Sequence, residues 1–230
     1  MKKIALLAMV AMLAVNAYAV EIGFGAKLGA GIAMNHDTTD VDSAGLFQNR
    51  ELAIPMGGEI FVNLGFSELI ALQLGVALSY SIGIGDLNAR TQPDGGDWTD
   101  WASTDRGDFS TGAFTVGLDI LARISLPIDF PLYVAIGPNV SYTRFSASYD
   151  GDSLGGFHYL DITGVLEVGT ELPLGPGNLL IGLRSRIGGG FAIGEFDDDG
   201  NSVDNWDDGV SYRRFIGEFA ALRVGYSINF

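Results

Sequence analysis

From Ile22 to Met34 the chain alternates without a break. Ile22, Phe24, Ala26, Leu28, Ala30, Ile32 and Met34 are apolar, and the residues between them are Gly23, Gly25, Lys27, Gly29, Gly31 and Ala33. A period of two over thirteen residues is the signature of a strand, and a helical period of 3.6 does not fit it. The pattern returns at Met56–Leu64, Leu72–Ile82, Phe114–Ile124, Leu132–Tyr142, Leu160–Val168, Leu179–Ile187 and Leu222–Phe230. Ordinary strands run about 5–6 residues. These segments reach the roughly 9–11 residues that a tilted strand needs to cross a bilayer. No second stretch of 18 apolar residues follows the N-terminus, so a membrane-embedded chain of this kind is not embedded as helices.

The connections between the eight segments are expected to alternate in length. Gly65–Glu68, Ser125–Asp129 and Pro173–Gly177 are short and carry Gly or Pro. Asn35–Glu51, Ile84–Ser110, Ala147–Phe157 and Gly194–Arg213 are long and hold 19 of the 28 carboxylates. Short turns at one end and long loops at the other mark a transmembrane β-barrel. An even strand count puts both termini at the short-turn end. The reading is therefore all-β: one eight-stranded antiparallel transmembrane β-barrel.

Periodicity does not say which face points out, because a soluble lipocalin-like barrel also alternates with its apolar set inside. Composition separates the two. Charged residues are only 18% of the chain and glycine supplies 33 of 230 residues. The polar faces are mostly Gly, Ala and Ser, too bland for a water-facing exterior. Their charges nearly balance: Lys27, Arg123, Arg184, Arg186 and Arg223 against Glu59, Asp119 and Glu167, with Asp161 and Glu171 nearby. Mixed signs on converging strands predict an internal ion-pair network. Aromatic residues near the segment ends, Phe66, Phe130 and Phe230 on one side and Tyr80, Tyr142, Phe145, Phe157, Tyr159 and Phe191 on the other, are read as interfacial girdles. Three residues predict local irregularity. Pro138 and Pro55 cannot donate to a ladder, and a bulge is expected at Pro138. Glu218 lies on the lipid-facing register of the last strand unless a bulge turns it inward.

The net charge of −15 argues against nucleic-acid binding, which needs a basic footprint. The absence of cysteine removes disulfides and Cys-ligated metals. Met1-Lys2-Lys3, the apolar run Ile4–Val15 and Ala17-Tyr18-Ala19 form a signal peptide over 1–19. The barrel then occupies 20–230, with net charge −17 once Lys2 and Lys3 are removed.

The C-terminus ends Arg223-Val-Gly225-Tyr-Ser-Ile228-Asn-Phe230. This matches the polar-x-Gly-x-x-apolar-x-aromatic final strand of bacterial outer-membrane barrels. With the eight-strand rhythm, the chain resembles the small eight-stranded members of that group (OmpA-transmembrane, OmpX and OmpW-like). The resemblance implies residence in the bacterial outer membrane with both termini periplasmic. It also implies contact with outer-membrane lipid. Gly225, Ile228 and Phe230 would form a signal read by the barrel-assembly machinery.

Candidate chemistry is sparse. His36 and His158 lie at the loop-side rim, and the deacylase-type His-x-Ser pattern is absent because Leu160 stands at the serine position. The Asp-rich segment 197–208 lacks the spacing of an EF-hand and reads as a solvated acidic loop. Gly188-Gly189-Gly190 has no strand–loop–helix context for phosphate. Trp98, Trp101, Phe109 and Trp206 are read as packing the loops together. No catalytic residue, metal or cofactor is expected. The leading reading is a non-enzymatic barrel whose acidic loops serve surface contact, with an extracellular ligand the sequence does not name, or envelope integrity. A narrow channel for small solutes is the alternative, and a lipid-modifying enzyme the third.

Overall fold

In a computed structural model, described residues are 20–41, 45–93, 96–104, 107, 109–126, 128, 130–203 and 210–230. The expected signal peptide, residues 1–19, lies outside them. The strands are β1 (Glu21–Val41), β2 (Gly45–Gly65), β3 (Ile70–Gln92), the three-residue β4 (Ala102–Thr104), β5 (Phe109–Ser125), β6 (Leu132–Tyr149), β7 (Asp152–Leu174), β8 (Gly177–Phe196) and β9 (Val210–Asn229). Every long strand pairs antiparallel with two neighbours, in the order β1–β2–β3–β5–β6–β7–β8–β9, and β9 closes back on β1. β4 only hooks onto the upper end of β3. The eight long strands thus form a ring with no free edge, the condition for placing strands in hydrocarbon, where an unpaired amide has no water to turn to.

The registers fix the shape of the cylinder. A walk across the partners Arg144, Phe114, Tyr80, Met56, Ala30, Leu222, Leu183 and Val168 returns to β6 at Val134, ten residues from its start. That stagger is about 33 Å along the strands against about 38 Å across eight of them, a tilt of about 40°.

Burial settles the faces. Lys27 is 1% exposed while its neighbour Leu28 is 72% exposed. Leu28, Ile60, Leu118, Ile136, Ile162, Leu183 and Ile187 all project from the outer wall. Lys27, Glu59, Gln73, Asp119, Asn139, Thr163, Glu167 and Arg184 are buried within it. This is the reverse of a lipocalin-like barrel, whose apolar set lines the inside.

The strands are longer than the apolar alternation indicated. β1 and β2 extend to Val41 and from Gly45, and β6 and β7 are joined by a turn at Asp150-Gly151, with positive φ at both residues. The expected long loops 35–51 and 147–157 are thus largely ladder. Their residues leave the membrane, so both faces turn polar and the sequence loses its hydrophobic period while the backbone keeps pairing.

Of the expected irregularities, those at Pro55 and Glu218 are present and the bulge at Pro138 is not. No bulge forms at Pro138. The β5–β6 register runs Asp119↔Asn139 to Ala122↔Ile136 without a shift, and Gly137-Pro138 has no partner there. β6 meanwhile keeps both residues paired with β7. At Pro55 the ladder with β1 is likewise interrupted between Ala30↔Met56 and Ala33↔Ala53. The bulge lies on β9, where Ile32 pairs with Ala220 and Ala33 with Glu218. Phe219 is the extra residue, and Glu218 turns into the barrel, 5% exposed. The Ser185 hydroxyl on the outer wall donates to the Phe219 carbonyl (2.6 Å).

Candidate functional site

The lumen is crossed by side chains from opposing walls. Lys27 on β1 reaches Glu167 on β7 (Nζ–Oε1 2.6 Å), and the Tyr133 hydroxyl donates to the same carboxylate oxygen (2.6 Å). Arg184 on β8 donates two hydrogen bonds to Asp119 on β5 (2.6 and 3.0 Å) and one to Glu59 on β2 (3.3 Å). Gln73 donates to Glu59 (2.9 Å) and Asn139 to Asp119 (2.8 Å). Gly75 lies against the Glu59 carboxylate, and a Cβ there would collide with it. Arg186 faces Glu218 (3.6 Å), and Arg123 pairs with Glu171 (2.7 Å) with its guanidinium over the Tyr133 ring. Above these, Arg214 holds Asp161 through two bonds of 2.9 Å, and Thr143 donates to the same carboxylate. The cavity bounded by Arg184, Arg186, Glu218 and Arg223 measures about 20 Å³, room for about one water.

All eight charged residues singled out from the sequence for the barrel interior, Lys27, Glu59, Asp119, Arg123, Glu167, Arg184, Arg186 and Arg223, point inward. Arg223 has no carboxylate within ion-pair distance among the described residues. Arg214, Glu218 and Tyr133 belong to the network too. Arg214 was hidden because the Phe219 bulge reverses the parity of β9 above it, and the same bulge turns Glu218 inward. Of the girdle aromatics, Tyr80, Tyr142 and Phe191 do face outward. Phe145, Phe157 and Tyr159 do not: their odd positions face the lumen, where Tyr159 lies under Arg214 and Phe157 packs on Tyr212 at 4.4 Å. Nearness to a segment end says nothing about face.

His158 and Asp161 diverge, the first on the outer wall and the second in the lumen, so they cannot act as a pair. His158 stacks on Tyr142 and shares a hydrogen bond with its hydroxyl. His36 meets Trp101 edge-on. Partial burial lowers both histidine pKa values, and Arg90 near His36 and Arg144 near His158 lower them further. Trp98 and Trp101 pack over arginines rather than over one another: Arg90 lies over both rings and Arg50 over Trp101. Trp206 and Asp204, Asp207 and Asp208 lie outside the described residues. Asp197 caps its own turn, accepting from the Asn201 amide. Among the described residues no group of three His, Asp or Glu side chains converges as a metal site.

Phe230 is 80% exposed, meets Phe24 edge-on at 6.2 Å, and its amide closes the ladder onto Ile22. Gly225 pairs with Lys27 and lies against the Ala26 carbonyl, while Ile228 pairs with Phe24.

A closed, edgeless ring with an apolar exterior and a charged interior defines a transmembrane β-barrel. Solved structures similar in fold include the outer membrane protein OprG from Pseudomonas aeruginosa (10% identity, 93% of this chain and 97% of that one, TM-score 0.47). They also include the outer membrane protein AlkL (13% identity, 93% and 92%, TM-score 0.45) and the Escherichia coli outer membrane protease OmpT (8% identity, 90% and 97%, TM-score 0.40). No family model and no curated sequence matches the chain.

Proposed function

We propose that the protein is a non-enzymatic, non-conducting barrel of the bacterial outer membrane, with both termini periplasmic, that acts through its outer surface and its acidic, strand-extended hairpins. The observation that carries this reading is the lumen. Lys27–Glu167 and Arg184–Asp119–Glu59 span it with charges almost wholly withdrawn from water. A barrel of eight strands is just wide enough for its side chains to fill it. Breaking a buried ion pair by removing one partner costs about 3–5 kcal/mol, and an opening of similar cost would leave the plug closed nearly all of the time. The alternative, a conduit for small solutes, requires a path that the crossed side chains occupy.

The test is reconstitution into planar bilayers. Wild-type protein is expected to give no steady conductance, and stable open steps that change with Arg184→Gln would overturn the proposal in favour of a channel. We further propose that Gly225, Ile228 and Phe230 are read during assembly. Removing Phe230 should leave the chain in the periplasm, and undiminished heat-modifiable protein in the outer membrane would refute that.

A further inference from the structure

The lumen does not account for every cation. Of the 13 Lys and Arg residues, Lys2, Lys3 and Arg106 lie outside the described residues, and six point into the barrel. The remaining four, Arg50, Arg90, Arg144 and Arg213, all stand on the outer wall at the end away from the termini. Strand registers link them laterally: Arg90 faces Gln48, Arg50 faces His36, Arg213 faces Thr38 and Phe191, and Arg144 faces His158. At about 2.5 Å of height per residue on strands tilted by about 40°, Arg50, Arg144, Arg213, His36 and His158 fall within about 6 Å of one another along the barrel axis. Arg90 stands higher and folds back through Trp98 and Trp101. Tyr80, Phe114, Tyr142 and Phe215, all exposed, lie at or just below that level, where aromatic side chains mark the hydrocarbon boundary.

The chain has net charge −15, yet these arginines have no carboxylate within ion-pair distance among the described residues. Asp86 and Glu51 share a hollow with Arg50, but Asp86 accepts from the Ser103 hydroxyl and Glu51 from the Thr111 hydroxyl. Three of the guanidinium groups lie over rings: Arg50 over Trp101 at 4.3 Å, Arg144 over Phe196 at 4.3 Å, and Arg90 over Trp98 at 4.4 Å, with the Arg90 Nε–H donated to Gln48. Stacking uses the face of the guanidinium and leaves its in-plane N–H donors free. That fork fits a phosphate through two parallel bonds. An unpaired cation at a bilayer surface, outside the aromatic girdle, meets the lipid headgroup layer before it meets anything else.

We propose that Arg50, Arg144 and Arg213, with Arg90 above them, form a belt that binds the phosphate groups of lipid headgroups in the outer leaflet around the barrel. The belt rests on the orientation assigned above, with the long hairpins outside. Its test is done in detergent, so it stands or falls separately from the conductance measurement.

Purified full-length barrel in maltoside micelles is titrated with a bisphosphorylated glycolipid (lipid A), its enzymatically dephosphorylated form, and inorganic phosphate. Lipid retention is read by native mass spectrometry and by the shift in unfolding temperature. The wild type is expected to retain the phosphorylated lipid at least ten-fold better than the dephosphorylated one, and to ignore millimolar phosphate. The triple variant Arg50→Gln/Arg144→Gln/Arg213→Gln should lose that preference, and the triple Lys variant should recover part of it. Equal retention of both lipids, or an unchanged preference in the Gln variant, would overturn the belt. So would displacement of the lipid by inorganic phosphate at equal concentration, which would indicate a site for the free ion. Should the Gln variant not fold, the comparison of the two lipids on wild-type protein decides alone.

Discussion

Arg213 and Arg214 are neighbours in sequence and opposite in circumstance. Arg214 is buried in the lumen and holds Asp161 with two bonds of 2.9 Å. Arg213 stands exposed on the outer wall and has no ion pair among the described residues. The same contrast separates the plug from the rim. Inside, each of six cations is withdrawn from water, and five have a carboxylate within reach. Outside, Arg50, Arg90 and Arg144 rest on aromatic rings, Arg213 stands without one among the described residues, and Arg90 also donates to Gln48. A buried charge needs a partner because desolvation is otherwise uncompensated, while a rim charge is solvated and free to take a ligand. Burial, then, separates arginines that hold the barrel together from arginines available to bind.

The contrast is broken most severely inside. Asp119→Ala removes both short bonds to Arg184 and leaves Glu59 at 3.3 Å as its remaining carboxylate. It should cost about 3–5 kcal/mol, read as the urea midpoint in lipid vesicles. A loss under 1 kcal/mol would mean that water reaches the plug. The outer wall at the bulge comes next. Ser185→Ala strips the Phe219 carbonyl of its donor on the lipid face and should cost about 1–3 kcal/mol; no change would mean that another donor reaches it. At the rim, Arg213→Gln should change stability by no more than about 0.5 kcal/mol, and a loss matching Asp119→Ala would abolish the distinction between the regions.

The upper lumen is distinguished by its response to pH. Half-buried Asp37, beyond the membrane-spanning part of β1, has its pKa pushed up to about 6, chiefly by burial and further by Glu51 and Asp161, against the opposing pull of Arg214. A carboxyl whose folded pKa lies above its unfolded value of 3.8 favours the fold when protonated. Its contribution is therefore greatest below pH 4 and declines as pH rises through 6. Asp37→Asn should flatten the stability profile in that window. An identical slope in wild type and variant would assign the titration elsewhere.

Much of this was legible in the residues. Lys27, Glu59, Asp119, Arg123, Glu167, Arg184, Arg186 and Arg223 stand on glycine-rich alternating faces, and parity alone groups them. The extension of β1, β2, β6 and β7 was not legible, because strands outside the membrane no longer need an apolar face and the hydrophobic period stops while pairing continues. Phe157 and Tyr159 misled for a related reason. An aromatic residue near a strand end suits a girdle or an upper lumen equally well, and only its face tells which.

By itself the sequence determined the strand count, the antiparallel rhythm and the concentration of acid at one end. These follow from a period of two and from turn chemistry, which are local. Only the tertiary structure decided which carboxylate meets which cation across the lumen, and which of two adjacent arginines is inside. Those outcomes depend on closure of the ring and on one extra residue at Phe219. A single inserted residue reverses the face of every side chain beyond it, and alternation read along one strand carries no mark of where its neighbour makes room for the insertion.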